Sequence, residues 1–266
     1  MNETAETVLT ALNDHRQVGL FSTSSSELSI PDAYLVTAQL RSMFEARGDR
    51  ITGRKIGFTN RDMWEEFGVR APIWGYCTDR TTFELADKQT VSVSNFAEPK
   101  IEPEIIVGLG AAPHPSMNEE ELIDCIDWIS LGYEIVQSIF ADWKFGAADT
   151  IAANALHGML SIGNRHMVAP RKEAWLRELS SFKAELFCDG QLRQSGGGEL
   201  VLGSPFCALH HLVRLLADDP HNPPLGAGEI VSTGTLTLAM PTLAGQTWKT
   251  MVQDIPLEDI ELRFEA

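Results

Sequence analysis

Two glutamates, Glu102 and Glu104, lie two residues apart in the otherwise mostly apolar segment 100–107. In a β-strand such side chains point to the same face, so both carboxylates would project together. Buried carboxylates side by side repel each other and lose hydration, and a divalent cation between them relieves both effects. Glu134, in a second apolar stretch, is a candidate third ligand. The pattern favours a metal site, and the alternative is a pair of carboxylates on a solvated edge strand.

Lys55 and Asp79 are candidates for proton transfer. Lys55 lies between Gly53 and Gly57; glycines let a backbone approach a ligand closely, and a half-buried lysine can bind an anion or move a proton. The alternative is a lysine whose ammonium group reaches solvent from a strand. Asp79 ends the rigid apolar turn 71–78. It is a candidate general acid–base group or, alternatively, the cap of an Asx-type turn.

Five more residues have side chains or backbone positions suited to a pocket. His157 lies in an apolar segment, where a histidine is either catalytic or a hydrogen-bonded core residue. Gln137 and Asp142 are interleaved with aromatic residues, as in the wall of a pocket. Thr233 and Gly234 offer a hydroxyl and a backbone N–H at a glycine turn, which would suit a bound carboxylate. The alternative for this last pair is a tight turn between strands.

The composition bounds the class of protein. The chain has 266 residues, a 44% hydrophobic share and a formal net charge of −16. This length suits one large domain, or a small one joined to a larger one. A nucleic-acid surface would need clustered Lys and Arg, so the charge argues against a nucleic-acid partner. An anionic substrate would have to meet positive charge inside the site.

The location of the protein is predicted from absent signals. No stretch approaches the about 18–20 consecutive apolar residues of a membrane helix. Residues 1–6 are acidic and lack the layout of a signal peptide. The four cysteines are scattered without a CxxC pair, which is typical of a reducing compartment. We expect a cytoplasmic protein with no membrane partner.

The elements change in type along the chain. Apolar residues recur at helical spacing within residues 4–16, and a second helix is predicted from Pro31 to Gly48. Short strands and turns follow. Asp189-Gly190 predicts a hairpin turn, and residues 246–264 alternate well enough for two strands.

Two later helices interrupt the β-rich part. Ser116 and Glu119 have the spacing of a capping box, and Ser204 precedes a helix with apolar residues on one face. The predicted fold class is therefore α+β. It has a small helical N-terminal region, residues 1–70, followed by a mostly β region, residues 71–266.

Several motifs occur in one order along most of the chain. They are Gly53–Gly57, Pro72–Asp79, Glu102-x-Glu104, Glu134–Val136, Asp142-Trp143, Asp149–Asn154, Gly203–Pro205 and Gly228–Gly234. Each motif alone is weak, whereas the ordered set is specific. In this set the chain resembles the fumarylacetoacetate hydrolase superfamily, and within it the branch of 2-keto-4-pentenoate hydratases and 4-oxalocrotonate decarboxylases.

The resemblance implies a metal-dependent enzyme that acts on small 2-keto acids, built on a mixed β-roll and assembled as a homo-oligomer. The three acidic metal ligands of the family would fall on Glu102, Glu104 and Glu134. The pocket lysine would fall on Lys55 and the acid–base carboxylate on Asp79. Oxygen ligands favour Mg²⁺ or Mn²⁺.

Two residues depart from the better-known hydratases of this branch. Trp74 makes its turn bulkier, and His157 stands where those enzymes have small residues. Both are predicted to reshape the pocket, so we assign Trp74 as a candidate substrate contact and His157 as a candidate catalytic residue.

The resemblance implies a hydro-lyase that adds water to a 2-hydroxydienoate and gives a 4-hydroxy-2-keto acid through a metal-stabilised enolate. One alternative is a decarboxylase of a 2-keto dicarboxylate, for which Arg54, Arg61 or Arg80 would supply the extra positive charge. Another is an acylpyruvate hydrolase, in which His157 would act on water. From a different class comes a non-catalytic subunit that binds Mg²⁺ without turnover.

Overall fold

The computed structural model describes residues 2–23, 28–65 and 69–266. Within these residues the chain forms six α-helices and fourteen β-strands. The helices are α1 (Asn2–Asp14), α2 (Ile30–Ala46), α3 (Glu119–Leu122), α4 (Ala147–Ala152), α5 (Lys172–Ser181) and α6 (Pro205–Ala217). The strands are β1 (Ile51–Gly57), β2 (Ile73–Thr78), β3 (Thr82–Glu84), β4 (Thr90–Ser92), β5 (Lys100–Leu109), β6 (Ile126–Val136), β7 (His157–Ile162), β8 (His166–Met167), β9 (Lys183–Cys188), β10 (Gln191–Gly197), β11 (Ile230–Thr235), β12 (Met240–Pro241), β13 (Thr247–Gln253) and β14 (Ile260–Glu265).

The strands of the described residues form two sheets. The larger sheet has nine strands, with β2-β1-β11-β5-β6-β7-β3 along its main path, β12 beside β5 and β8 beside β6. The smaller sheet has the order β10-β9-β13-β14-β4. The pairing is mixed, since β1 runs parallel to β11 but antiparallel to β2. The predicted α+β class, with helices at the N-terminus and a mostly β body, is confirmed.

β5 and β6 lie in the middle of the larger sheet and are its longest strands. From Pro103 onward every residue of β5 is buried, and so is the part of β6 after Trp128. A strand covered on both faces reads as a nearly continuous apolar run, which explains the composition around Ile105 and Ile129. A carboxylate on the inner part of either strand is therefore removed from bulk water.

α6 is the helix that packs most deeply against the sheets. Ser204 caps its first turn, because the Ser204 hydroxyl accepts the N–H of Phe206 at 3.2 Å, as predicted from the sequence. Leu209, Leu212 and Leu216 face the core. The segment Gly198–Ala217 is long and apolar enough for a membrane span by composition alone, but half of that stretch is buried inside this fold. Its packing is that of a core helix.

Other predicted elements have shifted ends or starts. α1 ends at Asp14 rather than residue 16, and the predicted hairpin at Asp189-Gly190 is confirmed. The prediction that Ser116 caps the next helix is wrong. Asn118 caps the four-residue helix α3 instead, in a capping box with Glu121. The hydroxyl of Ser116 contacts the ring of His114 instead.

The division into residues 1–70 and 71–266 stays a prediction. β1 lies before residue 71 and pairs with both β2 and β11, so the larger sheet takes strands from both sides of that division. α1 and α2 pack against each other, and α2 also contacts β1 and β2. α2 thus rests on the strand that carries Lys55.

Gly53 allows β1 to approach β11 closely. A Cβ at this position would come within 1.9 Å of the carbonyl oxygen of Ile230 in β11. We expect Gly53→Ala to push the two strands apart and to destabilise the fold by about 1–3 kcal/mol. The thermal midpoint should fall by roughly 3–10 °C, measured by circular dichroism. Gly19→Ala is the matched control, because no atom lies within 4 Å of its added Cβ; equal midpoints for both variants would contradict this account.

Candidate metal centre and adjoining cavity

The register of β5 and β6 brings three glutamates together. Glu102 lies directly opposite Glu134 across the antiparallel pair, and Glu104 lies opposite Gly132. One carboxylate oxygen from each of Glu102, Glu104 and Glu134 falls within 4.8 Å of the others. Glu104 and Glu134 are fully buried, and Glu102 is partly exposed. Among the described residues this is the one such group of acidic, histidine or cysteine side chains.

β11 orients Glu104 through a bulge between Ser232 and Thr235. The Ser232 hydroxyl and the Gly234 N–H both donate to Oε2 of Glu104, at 2.5 and 2.9 Å. Gly234 is required here, since its φ is +109° and a Cβ would meet the Thr59 hydroxyl at 2.0 Å. The other oxygen of Glu104, Oε1, is buried without a hydrogen-bond partner. A buried carboxylate oxygen in that state is suited to a cation.

Glu134 has a basic group at each oxygen. Lys55 Nζ forms an ion pair with Oε2 at 3.0 Å, and His157 Nδ1 lies 2.7 Å from Oε1. Both basic side chains are almost completely buried. Lys55 Nζ also donates to the carbonyl oxygen of Ala155 at 3.0 Å. The carboxylate is therefore fixed by β1 on one side and by β7 on the other.

The placement of Lys55 follows from strand alternation. Its neighbour Arg54 points to the opposite face of β1, where it pairs with Glu229 at 3.1 Å and stacks over the ring of Tyr76. On the inner face, the Asn154 amide bonds both the N–H and the carbonyl of Tyr76. This clamp holds the following residue against β2, so that the Ala155 carbonyl meets the Lys55 ammonium group.

Burial and charge shift the proton affinities of the group. Loss of hydration raises the pKa of Glu102 to about 7, and it raises the pKa of Glu104 well above its ordinary value together with repulsion from Glu134 and Glu102. Burial opposes charge on Lys55, but Glu134, Glu102 and Glu104 outweigh it and raise the pKa of Lys55. Burial likewise opposes charge on His157, yet Cys77 and Glu134 raise the pKa of His157 to about 10. A hard divalent ion would keep all three glutamates ionised.

A cavity of about 300 Å³ opens beside this centre. Lys55 and Glu102 lie in its wall, together with Lys100, whose ammonium group lies 3.9 Å from the ring centre of Trp143. The remaining polar wall residues are Thr59, Asn60, Thr235 and Thr237. Most of the rest is apolar, including Phe58, Met63, Ile73, Leu156 and Leu238. The first cavity thus joins an acidic centre to an apolar recess.

His157 and Gln137 line a second cavity of about 300 Å³ instead. Gln137 accepts the N–H of Ala97 at 3.1 Å and donates to the carbonyl of His157 at 3.4 Å. Neither residue is in the wall of the first cavity. Gln137 was predicted to contact substrate, but its amide group forms hydrogen bonds with the backbone.

Three further residues predicted for the site lie elsewhere or have other partners. Asp79 accepts from Arg50, whose hydrogen bonds hold the pKa of Asp79 below its ordinary value, and Asp79 is absent from the walls of both cavities. The alternative of a turn cap describes it better. Asp142 is exposed and pairs with Lys144. Thr233 donates its hydroxyl to the carbonyl of Ile105.

Trp74, predicted to contact substrate, lies in the core and not in the wall of the first cavity. It is fully buried and stacks on Tyr34, with ring centres 5.4 Å apart. Because successive side chains of β2 point to opposite faces, Ile73 reaches the cavity and Trp74 faces α2. The bulk of Trp74 fills the core, and Gly234, which was predicted to bind substrate, orients Glu104 instead.

Sequence reasoning missed several residues. Lys100 continues the two-residue spacing of Glu102 and Glu104, a signal that was available in the segment itself. Ser232 likewise lies two residues before Gly234, so the same spacing was visible there. Thr59 and Asn60 gave no such signal, because their position depends on the loop that follows β1.

Comparison with known proteins gives consistent matches. The family model for fumarylacetoacetate (FAA) hydrolase C-terminal matches residues 59–256. The chain is 28% identical to a 2-hydroxyhexa-2,4-dienoate hydratase of Comamonas testosteroni over 91% of this chain and 90% of that protein. It is 30% identical to a 4-oxalocrotonate decarboxylase of Pseudomonas putida over 90% and 86%. The structure of 4-oxalocrotonate decarboxylase from Pseudomonas putida G7, complexed with magnesium and adipate, matches at 27% identity over 99% and 96%, with a TM-score of 0.89.

The shifted pKa of Glu102 predicts how stability depends on pH. Because the pKa is raised from 4.5 to about 7 on folding, its stabilising contribution is complete below about pH 4.5 and is lost as pH rises through 7. We expect the thermal midpoint of chelator-treated protein to fall between pH 5 and pH 8, and Glu102→Gln to raise the pH 8 midpoint by about 3–6 °C. Glu6→Gln on exposed α1 is the control of equal charge change. If the thermal midpoint of Glu102→Gln changes with pH in the same way as that of the unaltered protein, the destabilising effect of an ionised Glu102 is contradicted.

Proposed function

Because the chain belongs to the fumarylacetoacetate hydrolase family, we propose that it is a divalent-metal-dependent hydro-lyase. Its substrate is a 2-hydroxydienoate, the enol form of a 2-keto-4-enoate, and its product a 4-hydroxy-2-keto acid. The observation that carries the proposal is the convergence of Glu102, Glu104 and Glu134 beside a cavity whose wall includes Lys55. The hydratase and decarboxylase relatives support the same substrate class.

The three glutamates would hold Mg²⁺ or Mn²⁺. Their all-oxygen donor set and the unpartnered Oε1 of Glu104 fit a hard cation. When bound, such an ion supplies Lewis-acid stabilisation of negative charge on the oxygens of a 2-keto acid. Glu104 can bind the ion through Oε1 without rearrangement, because Ser232 and Gly234 already hydrogen-bond its other oxygen, Oε2.

Lys55 binds the substrate carboxylate and moves a proton. A lysine ammonium group has three N–H donors. One donates to the Ala155 carbonyl, and the group forms an ion pair with Glu134 at 3.0 Å. It also borders the first cavity, where a substrate carboxylate can meet it. With Asp79 held by Arg50, we assign to Lys55 the proton transfer from the C2 hydroxyl to C5 of the dienol, which gives a conjugated 2-keto-3-enoate whose C4 is open to water.

The apolar part of the cavity favours the hydratase over the decarboxylase. Arg54, Arg61 and Arg80, which would have supplied charge for a second carboxylate, are absent from its described wall. Phe58, Met63 and several other apolar side chains stand there instead. Such a wall suits the hydrocarbon end of a dienoate.

One observation favours the decarboxylase as a second candidate. Lys100 lies in the wall of the cavity on the strand that carries Glu102, two residues farther from the centre. A strand rises about 3.3 Å per residue, so its ammonium group could meet a carboxylate at the far end of a keto-dicarboxylate.

We further propose that the enzyme works in the cytoplasm and as a homo-oligomer. The acidic composition and scattered cysteines support the first proposal. The family resemblance, which implies a homo-oligomer, supports the second.

The metal proposal predicts the behaviour of Glu102→Gln. The substitution keeps the size of the side chain but removes one anionic ligand, so turnover of a 2-hydroxydienoate should fall at least about 100-fold. The loss of dienol absorbance is followed in ultraviolet light, with metal-stripped protein resupplied with Mg²⁺ or Mn²⁺. Glu173→Gln, on the exposed side of α5, is the control and should retain full activity. Turnover by Glu102→Gln equal to the control would remove the proposed centre.

Lys100→Met separates the two candidate functions. If the substrate is a monocarboxylic dienoate, the variant should keep KM within about threefold; if it is a keto-dicarboxylate, loss of a charge pair should raise KM about 10–100-fold. Both substrates are assayed on both proteins with product analysis. Decarboxylation that is faster than hydration, and that depends on Lys100, would replace the first candidate by the second.

A further inference from the structure

His157 reaches Glu134 from outside the first cavity. It begins β7, is 3% exposed, and lines the second cavity, whereas Lys55 and Glu102 line the first. Its Nδ1 lies 2.7 Å from Oε1 of Glu134. A substrate in the first cavity would therefore meet Lys55 and Glu102, and would be separated from the imidazole by the Glu134 carboxylate.

The other ring nitrogen also has a partner. His157 Nε2 lies 3.0 Å from the hydroxyl of Thr81. That hydroxyl also contacts the backbone of Thr78, with its carbonyl at 3.3 Å and its N–H at 3.1 Å. The imidazole is therefore held at both ring nitrogens, by Glu134 and by the turn at Thr81.

The two basic groups hold Glu134 from opposite sides. His157 Nδ1 lies at one carboxylate oxygen, and Lys55 Nζ lies 3.0 Å from the other. The side chains of His157 and Glu134 are both buried, so water does not compete for their contact.

We propose that His157 is a positioning residue that fixes the Glu134 carboxylate for the divalent ion, in place of the acid–base role predicted from the sequence. The inference rests on the proposed metal centre. Of the two basic groups on Glu134, Lys55 also faces the cavity and is shared with the substrate. His157 is held by the turn at Thr81 and lies outside the wall of the first cavity. Partners of this kind orient metal ligands, and their loss typically weakens metal binding about 10–100-fold.

Two amide substitutions separate the contacts of His157. The amide nitrogen of His157→Asn can occupy the place of Nδ1, which keeps the bond to Glu134 and loses the one to Thr81. The longer side chain of His157→Gln places its amide near Nε2 and keeps the opposite contact. We expect the Mg²⁺ dissociation constant, measured by titration calorimetry, to stay within about threefold for His157→Asn. It should rise about 10–100-fold for His157→Gln and His157→Ala.

Controls keep this experiment independent of folding and of the reaction. His211→Ala removes a half-buried imidazole from α6, away from the acidic centre, and should leave Mg²⁺ affinity unchanged. Thermal midpoints of all variants show whether each is folded. At saturating Mg²⁺ we expect the kcat of His211→Ala to stay near that of the unaltered protein.

The outcomes distinguish the inference from the proposed function. If His157→Ala binds Mg²⁺ like the unaltered protein, His157 does not position Glu134, whatever its activity. Unchanged Mg²⁺ affinity with a kcat that falls at least about 100-fold in all three variants would instead restore the acid–base role. If the unaltered protein itself binds no divalent ion, the proposed function fails first.

Discussion

Three carboxylates buried around one point are the constraint on which the rest of the site depends. Like charges in a dehydrated place repel, and the fold must supply positive charge or hydrogen bonds to hold them there. Different strands do so: β11 binds Glu104 through Ser232 and Gly234, while β1 and β7 bind Glu134 through Lys55 and His157. The arrangement leaves Glu102 beside the cavity. Five strands must therefore keep their register for the centre to exist.

This requirement links stability and function. Asn154 holds the following segment on β2, which places the Ala155 carbonyl at Lys55, and Gly53 lets β1 approach β11. α2 packs on β1 and β2, so this helix supports the chemistry without contributing to the acidic centre. A divalent ion would stabilise this assembly, since anything that binds the folded state alone favours folding.

Local sequence patterns predicted the features that depend only on neighbouring residues of one strand, helix or turn. The spacing of Glu102 and Glu104, the Ser204 cap and the Asp189-Gly190 turn need only neighbours in the chain, and each was predictable. The family resemblance, carried by ordered motifs, is confirmed by the match over residues 59–256. Which face of a strand meets the cavity was not predictable, because it depends on partners far away in sequence. For this reason the sequence did not show that Trp74 packs in the core or that Asp79 pairs with Arg50.

The central claim is that Glu102, Glu104 and Glu134 hold one divalent ion. Crystals of the protein soaked in Mn²⁺, with data collected at the manganese absorption edge, test it most directly. The account predicts one strong anomalous peak about 2.1 Å from an oxygen of each of the three glutamates. Strong peaks at other positions, with none between these three side chains, would contradict it.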